Sequence, residues 1–489
     1  MLEAPSAPVP SAEAGGPTRS GETTQPATEP AAVTEPGPIV PLLVSAHTEP
    51  ALRSQAARLA AYLDRTGAQP TDIAHALVTT RADLEHRAVI LADQGRTAIG
   101  ALQNLIAGQA SPHLITGPTE GPAPRIAFAF SGQGAQHAGM GLGLYEQFPV
   151  FTQALDEALT AVGLDRQALA DAEQLDRTGI TQPALFALEV ALFALGQVVG
   201  VRPAALIGHS VGEIAAAHVA GVLSLPDAAV LVRARAELMQ ALPMGGAMVA
   251  LPVSEGELGE LPTGVSLAAV NGPSSVVLSG DESAVLEFTA QFPRRRRLSV
   301  SHAFHSSLME PMVDAFRDVA AGLTFHEPRI PLISNVTGQL ATEAEWGDAD
   351  YWVRHVREAV RFADGVRALA ESGVQGLLEL GPDGVLTGLA QDSLPADALL
   401  VPLLRKDRDE TTAALTALAR LHTRGVSVDW TALVPVRRPA EALPTYAFQH
   451  QTFWPQRRPP VRTVRCGQRW TRVMQPGCRP CWTCLTWPP

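Results

Sequence analysis

Ala204-Ala205-Leu206-Ile207-Gly208-His209-Ser210-Val211-Gly212-Glu213-Ile214-Ala215-Ala216-Ala217 sets the architecture of the chain. A short apolar run suited to a buried strand enters Gly-His-Ser-Val-Gly, and helix-forming residues follow at once. Small residues two before and two after Ser210 permit a sharp strand-to-helix turn that exposes the serine hydroxyl, the pattern of a nucleophile elbow. Taken alone the pattern is weak, because a turn that merely needs small side chains looks the same. The apolar strand before it and the Ala-rich helix after it strengthen the functional reading. The positive end of that helix lies near Ser210, and the amide of Val211 points where an oxyanion would form.

Working outward, the strand Ile126 to Phe130 ends on Ser131-Gly132-Gln133-Gly134, a turn that brings backbone amides to a sheet edge. A helical stretch covers Gln182 to Val199, and the strand Gly376-Leu377-Leu378-Glu379-Leu380 returns to the same body. Strands alternating with helices predict an α/β fold, a hydrolase-like, mostly parallel sheet covered by helices. Between about 247 and 300 the rhythm shortens to β-α-β-β-α-β, which predicts an inserted ferredoxin-like α+β subdomain. A small α+β domain over 37–121 precedes this body, which itself spans about 124–400. Residues 401–455 give one helix, Glu410 to His422, and an extended aromatic end laid as a strap on the earlier domains.

Residues 1–36 are rich in Pro, Ala, Glu, Thr and Ser and read as a disordered linker, because they cannot bury enough apolar surface to offset ordering. The basic segment 456–489 holds all four cysteines, and disorder is expected there too. Cys478, Cys481 and Cys484 have a spacing that soft metals accept, yet no fold surrounds them, and no metal site is expected. The formal charge of the 489 residues is −12, which argues against nucleic acid or an anionic membrane as the main partner. The apolar stretch Ala184 to Val201 carries Glu189 and Gln197, so it reads as a buried helix rather than a membrane span. The amino-terminal residues lack a basic start and an apolar run, and the first 465 contain no cysteine. A cytoplasmic location follows as the expectation.

A serine nucleophile needs a base. His302 and His305, in Ser301-His302-Ala303-Phe304-His305, stand just past the inserted subdomain, and the residues alone do not choose between them. No carboxylate presents itself as a third member, and a backbone carbonyl can orient the imidazole instead. Arg235 lies on a helix opened by the capping signature Ser224-Leu225-Pro226-Asp227, among apolar neighbours. If it is buried, its guanidinium demands an anion. Two rivals share the elbow or discard it: an esterase or thioesterase of the α/β-hydrolase class, and a non-enzymatic scaffold.

The set Gly132-Gln133-Gly134-Ala135-Gln136, Gly208 to Glu213, Arg235, Asn271-Gly272 and His302-Ala303-Phe304-His305 resembles the acyltransferase domain of modular type I polyketide synthases, relatives of malonyl-CoA:acyl carrier protein transacylases. In that resemblance 37–121 is the linker domain between ketosynthase and acyltransferase, and 401–455 is the linker after it. The resemblance implies Ser210 as nucleophile, His305 as base, Gln133 and Val211 as oxyanion donors, and Arg235 as holder of the free carboxylate of an extender unit. It implies the carbonyl of His355 as the group orienting the imidazole, with His209, Asn271 and Gln182 as pocket residues. The His-Ala-Phe-His form goes with malonyl rather than methylmalonyl selection. Phe304 would fill the space of an α-methyl branch, a difference worth about 1–3 kcal/mol. The implied substrate is malonyl-CoA, no cofactor is bound, and the acceptor is the phosphopantetheine thiol of an acyl carrier protein. The implied partners are that carrier protein, the ketosynthase and other domains of the same synthase.

Overall fold

The computed structural model describes residues 37–117, 121–439 and 441–449. The expectations for 1–36 and 456–489, and for the end of the strap beyond Gln449, lie outside the described residues. Residues up to Ala447 belong to one unit, which the following description covers; only Phe448 and Gln449 of the other are described.

The chain opens with an antiparallel sheet of β1 (Val40–Ala46), β2 (His86–Ala92) and β3 (Leu114–Gly117). Helices Glu49–Thr66, Pro70–Thr80 and Gly95–Ala107 pack with it around a core that includes Leu42, Leu59, Ile73, Ile90 and Leu102. The chain then enters the main sheet through β4 (Ile126–Phe130) and β5 (Leu206–Gly208). Every residue of β4 is buried, as a strand covered on both faces requires.

Next comes the inserted antiparallel sheet, with β6 (Ala247–Leu251), β7 (Val265–Gly272), β8 (Ser275–Gly280) and β9 (Arg296–Arg297) in the order β7-β8-β6-β9, the ferredoxin-like order. Two of its expected elements differ. The first helix is only a 3-10 turn, Glu255–Glu257, because Gly256, Gly259, Pro262 and Gly264 interrupt helix propagation. The last strand pairs only over two residues, and Ser299 and Val300 instead line a cleft.

The chain returns with β10 (Leu332–Ile333), β11 (Gly376–Leu380) and β12 (Leu399–Pro402). The five main strands run β10-β5-β4-β11-β12, all parallel. The helix Thr178–Val198 begins four residues before the sequence reading. By length and composition it is apolar enough to cross a membrane, but most of its surface is buried inside the protein. The inserted sheet is tied to the main body at Ala268 and Val270, whose backbones bond to Val360.

Helix Glu410–Thr423 joins the first sheet to the main body. Its Glu410 carboxylate accepts N–H bonds from Gly141, Gly143 and Leu144, and Arg87 donates to the carbonyl of His422 at the other end. Residues 441–447 then run back along the first helix. Tyr62 donates to the Glu441 carbonyl, Arg58 to those of Thr445 and Tyr446, and the Ala447 N–H to Gln55.

Gly376 begins β11, between β4 and β12 of the main sheet, where a Cβ would stand 2.4 Å from the Leu399 carbonyl oxygen and 2.9 Å from Ile126. The Ile126 contact is with a side-chain methyl, but the nearer Leu399 oxygen belongs to the backbone of the paired strand and cannot yield. Gly376→Ala is therefore expected to destabilise the protein by about 1–3 kcal/mol, read as a lower denaturant midpoint; an unchanged midpoint would show that the sheet opens at no cost.

Candidate active site

At the end of β5 the backbone turns so sharply that Ser210 takes φ 52°. Among the described residues only His305, at φ 55°, is another non-glycine with positive φ. Such conformations cost about 1–3 kcal/mol each and persist only where the surroundings enforce them. Here the glycines of the elbow are required by space. A Cβ on Gly208 would lie 2.2 Å from the Glu213 nitrogen, and one on Gly212 would lie 2.3 Å from the Phe130 carbonyl oxygen.

Asn335 enforces the turn from the side. Its Oδ1 accepts the Ser210 N–H at 2.7 Å, its Nδ2 donates to the Gly208 carbonyl at 2.8 Å, and its own N–H donates to Glu213 Oε2 at 2.8 Å. Tyr351 donates to the other oxygen of Glu213. Burial pushes the Glu213 carboxyl up to about 8. Asn335 was not singled out in the sequence: Ser334-Asn335-Val336-Thr337-Gly338 reads as a turn, and nothing local shows which backbone its amide holds.

Around the exposed hydroxyl three side chains meet. Ser210 Oγ is 2.7 Å from His305 Nε2, and Arg235 Nη2 donates to the same oxygen at 2.9 Å. His305 Nδ1 faces the Glu358 carbonyl oxygen at 2.9 Å. A carbonyl only accepts, so Nδ1 carries the hydrogen and Nε2 presents its lone pair to the serine. Burial, and then the charge of Arg235, push the His305 pKa down to about 3, so the imidazole is neutral and ready to take a proton.

The assignment of the orienting carbonyl to His355 is corrected. His355 lies in the last turns of the helix Ala349–Arg357, where backbone carbonyls follow the helix axis, while its ring is buried edge-on to His305 at 6.5 Å between centroids. Glu358 is the first residue beyond that helix. Its extended backbone turns the carbonyl toward the imidazole. A carbonyl has no side-chain signature, so helix termination is the one signal that could have located it.

Arg235 is 2% exposed. Burial lowers its pKa to about 9, which leaves it charged at neutral pH. Nη1 donates to Gln182 Oε1 at 2.5 Å, while Nε has no acceptor among the described residues, and none of their carboxylates pairs with this guanidinium. A buried, unpaired cation is costly unless an anion arrives to meet it.

The three groups open on a cleft of about 860 Å³ between the main sheet and the inserted subdomain. It is lined by Gln133, Gln182, His209, Asn271, Phe304 and others. His209 Nε2 donates to Asn271 Oδ1 at 2.8 Å. Val211 and His355 are buried and are not among the residues that line the cleft. The backbone N–H groups of Gln133 and Val211 have no acceptor among the described residues, so both remain able to donate. A hydroxyl with its base in place, two spare amides and a buried cation can together bind an acyl compound bearing an anion and transfer its acyl group.

Comparison with known proteins agrees in kind. The family model described as acyl transferase domain matches residues 127–428, and one described as RhiE-like, KS-MAT linker domain matches 43–109. Polyketide synthase GfsA of Streptomyces halstedii is 47% identical over 442 residues, which cover 85% of this chain but 6% of that protein. The crystal structure of the acyltransferase domain from the second module of the salinomycin polyketide synthase is 55% identical, with TM-score 0.69, covering 80% of this chain and 94% of that one. A malonyl-CoA:acyl carrier protein transacylase from Xanthomonas oryzae is 34% identical, with TM-score 0.55, covering 61% and 100%.

Two measurements check the geometry. Because the imidazole is held neutral down to about 3, the rate of Ser210 acylation is expected to show no fall centred near pH 6.5 as pH is lowered from 8 to 5. A loss with that midpoint would mean that His305 titrates as a solvated histidine. Asn335→Ala removes the bonds to Ser210 and Gly208 and is expected to slow acylation at least about tenfold while costing about 1–3 kcal/mol of stability, whereas unchanged acylation would show that the elbow keeps its shape unaided.

Proposed function

Because the chain belongs to the acyl transferase domain family, as an acyltransferase of the kind found in modular polyketide synthases, we propose that it loads malonyl groups from malonyl-CoA onto a carrier protein through an ester on Ser210. The observation that carries this reading is Arg235, a buried charge without a carboxylate partner, whose guanidinium donates to the nucleophile's own oxygen. A free carboxylate two bonds from a thioester carbonyl is the ligand chemistry that satisfies it.

The reaction is ping-pong. Ser210 Oγ attacks the thioester carbon while its proton passes to His305 Nε2, and the amides of Gln133 and Val211 receive the oxyanion. Collapse breaks the carbon–sulfur bond, and the thiolate of CoA leaves with the proton held by His305. The phosphopantetheine thiol of an acyl carrier protein then attacks the serine ester, with His305 taking the thiol's proton and returning it to Ser210. Glu358 keeps the imidazole in the tautomer this requires. His209 and Asn271, bonded to each other, line the acyl pocket, and Gln182 fixes the second arm of the guanidinium.

Phe304 is nearly buried in the cleft wall and supports malonyl over methylmalonyl, by the about 1–3 kcal/mol that one methyl group is worth. The linker match over 43–109 supports a ketosynthase as neighbour in the same synthase. The chain spans only a small part of the synthases it matches, so carrier protein and ketosynthase are partners by inference.

Intact-mass measurement after exposure to malonyl-, methylmalonyl- and acetyl-CoA together is expected to show a single malonyl adduct, absent in Ser210→Ala. No adduct on a folded chain would remove the transferase reading. Arg235→Ala is expected to shift loading from malonyl toward acetyl at least about tenfold, in keeping with loss of a charge-assisted pair; unchanged selectivity would take Arg235 out of substrate recognition.

A further inference from the structure

The reaction above does not call on four polar side chains that form a continuous chain at the edge of the cleft. His302 Nε2 lies 3.1 Å from the Leu242 carbonyl oxygen, and His302 Nδ1 lies 2.9 Å from Ser301 Oγ. Ser301 Oγ lies 3.1 Å from Thr178 Oγ1, which receives Gln133 Nε2 at 3.2 Å. His302 and Thr178 are buried.

The two ends fix the direction of every bond. Leu242 offers a carbonyl, which only accepts, and Gln133 offers an amide nitrogen, which only donates. In the neutral ring His302 Nε2–H therefore donates to Leu242, leaving Nδ1 to accept from the Ser301 hydroxyl. Ser301 Oγ in turn accepts from the Thr178 hydroxyl, and Thr178 Oγ1 accepts from Gln133. All hydrogens point one way, from the glycine turn to the Leu242 carbonyl, and each of Thr178, Ser301 and His302 accepts one bond and donates the next.

The chain ends on the turn Gly132-Gln133-Gly134, in which Gly134 takes φ 111°. A turn with glycine on both sides has little stiffness of its own. The Gln133 side chain ties it to Thr178, the first residue of a 21-residue helix anchored in the core. The other end is tied to the His302-Ala303-Phe304-His305 segment that lines the acyl pocket. We propose that Thr178 and Ser301 are positioning residues that hold the Gln133 amide against the developing oxyanion and couple it to the segment that selects the acyl group. This rests on the acyl-transfer reading. A change in the pocket segment then alters the transition state as well as the space for substrate, so selectivity and turnover move together.

The test compares Thr178→Val, which keeps the shape and removes the hydroxyl, with Thr178→Ser, which keeps the hydroxyl, and with Ser301→Ala and Gln133→Met, each checked for an unchanged melting temperature. For malonyl transfer, Thr178→Val and Ser301→Ala are expected to lower kcat about five- to fiftyfold with KM for malonyl-CoA within about twofold, the effect of a misplaced oxyanion donor. Thr178→Ser should stay within about twofold of the parent, and the double variant Thr178→Val with Gln133→Met should be no slower than the slower single one. Should Thr178→Val fail to fold, Ser301→Ala and Gln133→Met carry the same reading. A kcat matching the parent, a loss carried by KM alone, a Thr178→Ser as slow as Thr178→Val, or multiplicative effects in the double variant would each overturn the proposal. A parent chain that never acylates Ser210 overturns this proposal and the acyl-transfer reading at once, whereas a parent that loads malonyl and variants that match it overturn this proposal alone.

Discussion

The positive φ of Ser210 is the constraint on which the site depends. A serine in this conformation projects its hydroxyl away from the backbone, but the conformation is unfavourable for any residue with a Cβ. The structure enforces it from three sides: Gly208 and Gly212 allow strand and helix to approach, Asn335 bonds both arms of the turn, and buried Glu213 fixes Asn335 through its backbone. The parallel sheet supplies the rigid frame, because β5 lies between β4 and β10 and cannot shift without dragging its neighbours.

Electrostatics complete what the backbone begins. Burial depresses the pKa of His209, His305 and His355, so the charge at the bottom of the cleft is concentrated on one group, Arg235. Placing a lone cation beside a neutral base has two effects. It discourages protonation of His305, and it leaves the guanidinium without an anionic partner among the described residues.

Much of this was legible in the residues. β4 was readable to the residue, since an uninterrupted apolar run bounded by breakers leaves few alternatives. The order of the inserted sheet was also readable, although its first helix was not, because a pattern of alternating elements says nothing about how far glycine and proline will erode one of them. β10, two residues long, is below the reach of any periodicity. The elbow announced Ser210, yet the choice between His302 and His305 rested on resemblance. Three residues apart in one loop, they differ chiefly in backbone conformation, and only His305 takes the positive φ that accompanies its approach to Ser210. The carbonyl of Glu358 and the amide of Asn335 were illegible for a common reason: each acts through a main-chain contact made far along the sequence.

The return of residues 441–447 to the helix Glu49–Thr66 has a mechanical consequence. Both ends of the described path, from β1 to Ala447, meet at the same small unit, so tension between them is borne first by the bonds from Gln55, Arg58 and Tyr62. The main parallel sheet lies outside that load path. Pulling from neighbouring domains in a longer polypeptide would peel the short return segment before any strain reached the cleft.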